Sequence, residues 1–172
     1  YLAYTAPHWP IQAPEQYLDL YKGKYDQGYE VIRKQRFEKQ KKLGLIPLNA
    51  EFPIERGNQA IESKSWDQLD VQQRQYEARK MEVYAGMITH LDDRIGDVIQ
   101  YLKKHKQYDN TLIVFMSDNG AEGGRHDFPM GDADNRYENI GKATSYIYMG
   151  PRWAEVSSTP FTYWKAAAAE GA

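Results

Sequence analysis

The chain contains no cysteine. That removes a disulfide framework, a thiolate metal site and a cysteine nucleophile from within these residues, and leaves the redox compartment unmarked. No apolar run approaches the roughly 20 residues that a membrane helix needs, so no membrane span is expected. Charge of one sign is also lacking: Lys plus Arg number 22 against 24 Asp plus Glu. Without a strong net field the chain has no general attraction for polyanions, and nucleic acid is not an expected partner. The densest basic stretch (Arg33, Lys34, Arg36, Lys39, Lys41 and Lys42) carries no interleaved aromatic platform and reads as the solvated surface of a helix. No feature sets an oligomeric state.

What is present is organised as a run of short elements. At 172 residues the chain is long enough for one domain with a core, or for part of a larger one. It opens on Tyr-Leu-Ala-Tyr-Thr without a start methionine, which reads as a strand met in mid-course, so an internal segment of a longer protein is expected. Pro7, Pro10 and Pro14 then bar a regular ladder and hold the chain extended. From Asp26 to Leu43, Tyr29, Ile32 and Phe37 fall loosely at helical spacing, which predicts a basic surface helix. Residues 44–65 show no sustained period and read as an irregular connection.

The clearest periodicity follows. Met81, Tyr84, Ile88, Leu91, Ile95, Val98 and Leu102 step by three and four, with Glu82, Asp93, Asp97 and Lys103 opposite, which predicts a long amphipathic helix covering a sheet. After a turn at Asp109-Asn110 comes Thr-Leu-Ile-Val-Phe-Met, residues 111–116, a continuous apolar run of the kind found in parallel strands covered on both faces. Residues 144–149 predict another strand, reached through the polar loop 120–143, and a run of alanines occupies 166–169.

The chemistry is concentrated at three places. Asp118 and Asn119 stand directly after the strand expected at 111–116, and in open α/β sheets ligands bind beyond the carboxyl ends of strands. A carboxylate and an amide oxygen are hard ligands that suit Ca²⁺ or Mg²⁺, although two oxygens are fewer than either ion takes. The same Asp-Asn-Gly is also ordinary turn chemistry. His8 lies in Ala-Pro-His-Trp-Pro, where flanking prolines restrict the backbone, as suits a fixed proton donor; stacking on Trp9 in a packed loop is the alternative. Lys165 follows Phe161, Tyr163 and Trp164, where a partly desolvated ammonium would bind an oxyanion, or would snorkel to solvent.

Taken in order, Ala-Tyr-Thr-Ala-Pro-His-Trp-Pro-Ile-Gln-Ala-Pro, the helix from Arg-Lys-Met-Glu-Val-Tyr-Ala-Gly-Met-Ile to Asp-Asp-Arg-Ile-Gly, Asp-Asn-Thr-Leu-Ile-Val-Phe-Met-Ser-Asp-Asn-Gly-Ala-Glu-Gly, and Ser-Ser-Thr-Pro-Phe with Lys165 resemble the type I sulfatases, most of all the bacterial arylsulfatase branch. The resemblance covers almost the whole chain. It implies an α/β fold of the alkaline phosphatase-like kind, a sandwich with a mainly parallel central sheet covered by helices, and hydrolysis of small-molecule or sugar sulfate esters at a Ca²⁺ site, with Mg²⁺ as the alternative ion. Under it, Asp118 and Asn119 would be metal ligands, His8 would bind the sulfate and protonate the leaving alcohol, and Lys165 would clamp the sulfate oxygens. The family's nucleophile is a formylglycine made in a Cys/Ser-x-Pro-x-Arg motif. No match to that motif occurs in these residues, nor to the family's amino-terminal acidic ligand pair, so both are expected outside this segment. Periplasmic or extracellular location is likewise implied by resemblance alone. The rival expectations are a phosphodiester or phosphonate hydrolase of the same superfamily, and a non-catalytic sulfatase-like fold that binds anions or a partner.

Overall fold

A computed structural model of the chain describes residues 1–53, 63–124, 131–165 and 167. Four α-helices organise these residues: α1 (Glu15–Leu18), α2 (Tyr29–Lys42), α3 (Val71–Lys104) and α4 (Pro151–Ser157). Single 3₁₀ turns form at Trp66–Gln68, Tyr108–Asn110 and Tyr137–Asn139.

The ends of the helices follow from local sequence. α2 stops in a Schellman arrangement: the Leu45 amide donates to the Gln40 carbonyl at 3.0 Å and the Gly44 amide to Lys41 at 3.0 Å, with Gly44 at φ 70° where a side chain would be strained. Lys39, Lys41 and Lys42 occupy its last turn, favourable toward the negative end of the helix dipole. α3 begins in a capping box, the Gln73 amide donating to Asp70 Oδ1 at 2.8 Å and the Asp70 amide to Gln73 Oε1 at 3.2 Å. It therefore starts well before the periodic run that announces it.

α3 is the spine. Its 34 residues extend about 50 Å, and its buried stretch, Ala78 to Met87, separates two apolar clusters. On one side Val83 and Met87 pack with Ile11, Leu18, Ile140 and Ile147. On the other, Met81 packs with Tyr29, Met149, Trp153, Ala154 and Val156. α1 crosses α3 so closely that a Cβ on Gly86 would collide with the Tyr17 carbonyl oxygen, so this glycine is required by backbone approach. Tyr17 Oη donates to Asp93 at 2.7 Å, and Arg79 to the Leu18 carbonyl at 3.0 Å, fixing the crossing. α2 packs on α4, where Trp153 is fully buried and its indole donates to the Glu77 carbonyl at 2.9 Å.

Several expectations are not met among the described residues. Among the described residues no strand forms, and the pairing found is an isolated parallel bridge between Gln12 and Gly141. Residues 1–5 and 111–116 have no ladder partner among the described residues, and the second run is open to solvent, with Leu112 at 90% and Phe115 at 78% exposure. An apolar run becomes a strand only when a neighbour takes its amides and carbonyls. Residues 145–149 are largely buried and Ile147 accepts from the Ile11 amide at 3.0 Å, yet no ladder develops from this backbone bond. The central sheet is thus not formed by the described residues.

Two charged residues assigned to the surface are inside. Arg33 is 2% exposed and lies 3.5 Å from Glu155 of α4. Glu82 is 4% exposed; it accepts from the Gly23 amide at 2.7 Å and pairs with Arg79 at 3.0 Å. The Glu155 and Gly23 contacts come from distant sequence, which periodicity does not see. Beyond Met87 the apolar stripe of α3 is only partly covered, Ile88 being 44% exposed. The alanine run lies outside the described residues except for Ala167, as do residues 54–62 of the connection and 125–130 of the loop.

Candidate active site

The segment after residue 116 bends at 118–120, where Ser117 Oγ donates to the Asn119 carbonyl at 2.7 Å. That leaves the Asp118 and Asn119 side chains exposed. They line an open cleft of about 1620 Å³ shared with His8 and Glu122. Such a volume exceeds the ~300–1,000 Å³ of an ordinary ligand pocket, as for an open groove and not an enclosed ligand cavity.

His8 stands between two cis X-Pro bonds, Ala6-Pro7 and Trp9-Pro10. Its Nδ1 is 2.9 Å from the Trp9 carbonyl, and its ring also lies against the Trp9 ring at 4.9 Å between centroids. A carbonyl only accepts, so Nδ1 carries the proton of the neutral ring and Nε2 presents its lone pair. Lys165 Nζ faces that atom at 3.5 Å. The anchoring and the stacking foreseen as alternatives for His8 therefore coexist.

Lys165 does not snorkel freely. Its ammonium pairs with Glu122, and its backbone amide donates to the Ala121 carbonyl at 2.9 Å. Next to it, the Trp164 ring fills the place of a side chain at Gly123: a Cβ there would overlap the indole. The glycine is needed for this close approach. Glu122 Oε1 in turn accepts from the Gly124 amide at 2.6 Å. Burial opposes ionisation of Glu122, but the Lys165 ammonium and the Gly124 amide outweigh it and hold the carboxyl below the usual glutamate value.

His8, Asp118 and Asn119 thus line one cleft together with Glu122, which sequence reasoning missed, and Lys165 stands behind that lining, in contact with His8 and Glu122. The signal lay within Asp-Asn-Gly-Ala-Glu-Gly itself, but nothing local distinguishes that glutamate from turn polarity. As a metal site the donor set is of the right kind and incomplete. Asp118 and Asn119 offer exposed hard oxygens that fit Ca²⁺, yet no cluster of three or more His, Asp or Glu able to hold a metal occurs among the described residues.

The Sulfatase family model matches residues 1–152. The chain belongs to the sulfatase family. An uncharacterised sulfatase of Schizosaccharomyces pombe is 44% identical over 99% of this chain and 32% of its own length. An arylsulfatase of Klebsiella aerogenes is 37% identical over 99% of this chain and 37% of its own. A choline-sulfatase of Rhizobium meliloti is 29% identical over 69% of this chain and 20% of its own. The sulfatase chain described here therefore spans about a third of the length of the first two relatives. Membership brings the alkaline phosphatase-like α/β class with it, although the described residues form the helical and loop parts and not the sheet.

Proposed function

We propose that the protein to which this chain belongs hydrolyses sulfate esters, and that residues 1–172 supply one side of its active site. The observation that carries this reading is that His8 and the Asp118-Asn119 pair, from separate parts of a sulfatase-family sequence, line a single open cleft, with the Lys165 ammonium 3.5 Å from His8 Nε2. The printed activities of the arylsulfatase and choline-sulfatase relatives support the same ester class.

Each residue has a task that its surroundings suit. Lys165 is a cation held between His8 and Glu122 and would take sulfate oxygens, where a positive group offsets the charge that grows on them as the ester breaks. His8, anchored through Nδ1, turns Nε2 toward Lys165; in its doubly protonated form it would deliver the Nε2 proton to the departing alkoxide. Asp118 and Asn119 would contribute two oxygens to a Ca²⁺ site completed by groups outside this segment, and Mg²⁺ fits less well because it demands a tighter, near-octahedral shell. Calcium, when bound, would supply further neutralisation of the sulfuryl oxygens. The nucleophile, a formylglycine by family resemblance, is likewise assigned to residues outside the 172. Export to the periplasm or beyond the cell is proposed on the same resemblance.

The test is a substrate screen with the full-length protein: aryl sulfate, aryl phosphate, phosphate diester and phosphonate esters under Ca²⁺. Turnover of the sulfate above the others is expected. Preference for a phosphorus ester would transfer the site to that chemistry, and no turnover of any ester would reduce it to anion binding.

A further inference from the structure

We propose that Glu122 is a positioning residue of this site, holding the Lys165 ammonium beside His8. This rests on the reading of the cleft as a sulfate-ester site. A carboxylate is an unexpected neighbour for an anionic substrate. Like charges repel, more strongly where water is partly excluded, so its presence on the cleft wall calls for a compensating role.

The geometry supplies one. Glu122 is gripped at both oxygens, Oε2 by Lys165 Nζ and Oε1 by the Gly124 amide at 2.6 Å. The pair is only partly open to water, with side-chain exposures of 20% for Glu122 and 28% for Lys165. Around it the backbone is locked in register by the Lys165 amide bonding to the Ala121 carbonyl, and by the Trp164 ring seated on Gly123. A lysine has four side-chain torsions and few reasons to keep one conformation. Glu122 restricts them so that Nζ sits 3.5 Å from His8 Nε2. Glu122 touches no reacting atom under this proposal; it acts through Lys165.

Two measurements on the full-length protein test it. The first is a double-mutant cycle in kcat/KM for an aryl sulfate, using Glu122→Ala, Lys165→Ala and the pair. Glu122→Ala is expected to cost about ten- to a hundredfold in the native background, the scale of a reacting-group misplacement near 1 Å, and nothing further once Lys165 is gone. An equal loss in both backgrounds would make Glu122 merely structural and overturn the proposal, as would no loss at all. The second is the labelling rate of Lys165 by an amine-reactive reagent, read by peptide mass spectrometry with exposed Lys34 as internal reference. Glu122→Gln, which keeps the shape and the Gly124 contact, should raise Lys165 labelling severalfold, whereas an unchanged rate overturns the proposal. Because labelling needs no turnover, it still decides the pairing if the full-length protein hydrolyses no sulfate ester and the functional reading fails by itself.

Discussion

Arg33 of α2 and Glu155 of α4 meet at 3.5 Å with side chains only 3% and 8% exposed, and Arg33 Nη2 also donates to the Phe161 carbonyl at 3.2 Å. This joins the two helices to the segment that leads to Lys165. The pairing is imperfect, since Arg33 Nε and Nη1 make no hydrogen bond, so Nη1 is attracted to Glu155 without being well aligned to it. Glu155 also lies 4.0 Å from buried Arg152 of the same helix, so removing it alone takes the carboxylate from two buried guanidiniums. Glu155→Ala should destabilise the full-length protein by about 3–5 kcal/mol, whereas Arg33→Met with Glu155→Leu should recover most of that loss, because well-packed apolar groups avoid the desolvation cost. Thermal melts of the three proteins decide it. If the double variant is no better than the single one, the ion pair is net stabilising and this account is wrong.

Gly123 and Trp164 give a second test, now of the site. Any Cβ at residue 123 enters the space of the indole, so Gly123→Ala must push Trp164 away, and Lys165 with it. The expected result is a fall in aryl sulfate kcat/KM of roughly a hundredfold, the scale that small displacements of reacting groups produce, with only a modest change in melting temperature. Full activity in Gly123→Ala would show that the position of Lys165 does not depend on this contact.

The parts of the structure that were legible in the sequence are those with local causes. The amphipathic core of α3 was visible in Met81, Tyr84 and Leu91, and the stop of α2 in Gly44. The ten residues of α3 before Met81 were missed because Gln72, Gln73, Arg74 and Gln75 carry no apolar period, although Asp70 and Gln73 spell a capping box. Arg33 and Glu82 were placed outside because their partners, Glu155 and Gly23, are brought to them by tertiary packing. Thr111 to Met116 has the composition of a buried strand and lies exposed, since strand formation depends on neighbours that composition does not supply. In the site, His8, Lys165, Asp118 and Asn119 stand out by their local chemistry and take their proposed roles from resemblance, while Glu122 emerges only from its contact with Lys165.

The Glu122–Lys165 pair also predicts a pH dependence. The Glu122 carboxyl titrates below its ordinary value of 4.5 in the folded protein. A depressed carboxyl favours the folded state at pH above the unfolded value, and that contribution disappears as pH falls through the folded one. The difference in melting temperature between the native protein and Glu122→Gln should therefore be open at neutral pH and close in acid, below the ordinary glutamate value. A gap that stayed constant across this range would mean that Glu122 contributes shape and not charge.

The calcium assignment can be separated from catalysis altogether. A ligand that binds the native state and not the unfolded one stabilises it in proportion to the logarithm of its saturation, about 2.7 kcal/mol at a hundred times the dissociation constant. Asp118 is an exposed carboxylate on a bend whose backbone is already fixed by Ser117, so its loss should leave the fold largely untouched in the absence of metal. In the full-length protein, Ca²⁺ should raise the melting temperature, and Asp118→Ala should abolish most of that rise while leaving the metal-free melt nearly unchanged. Asn119→Ala should weaken it less, because a neutral amide oxygen contributes less than a carboxylate to a hard cation. If Asp118→Ala melts with the same calcium-dependent shift as the native protein, then Asp-Asn-Gly at the end of this apolar run is turn chemistry, and the cation, if there is one, is held by other residues.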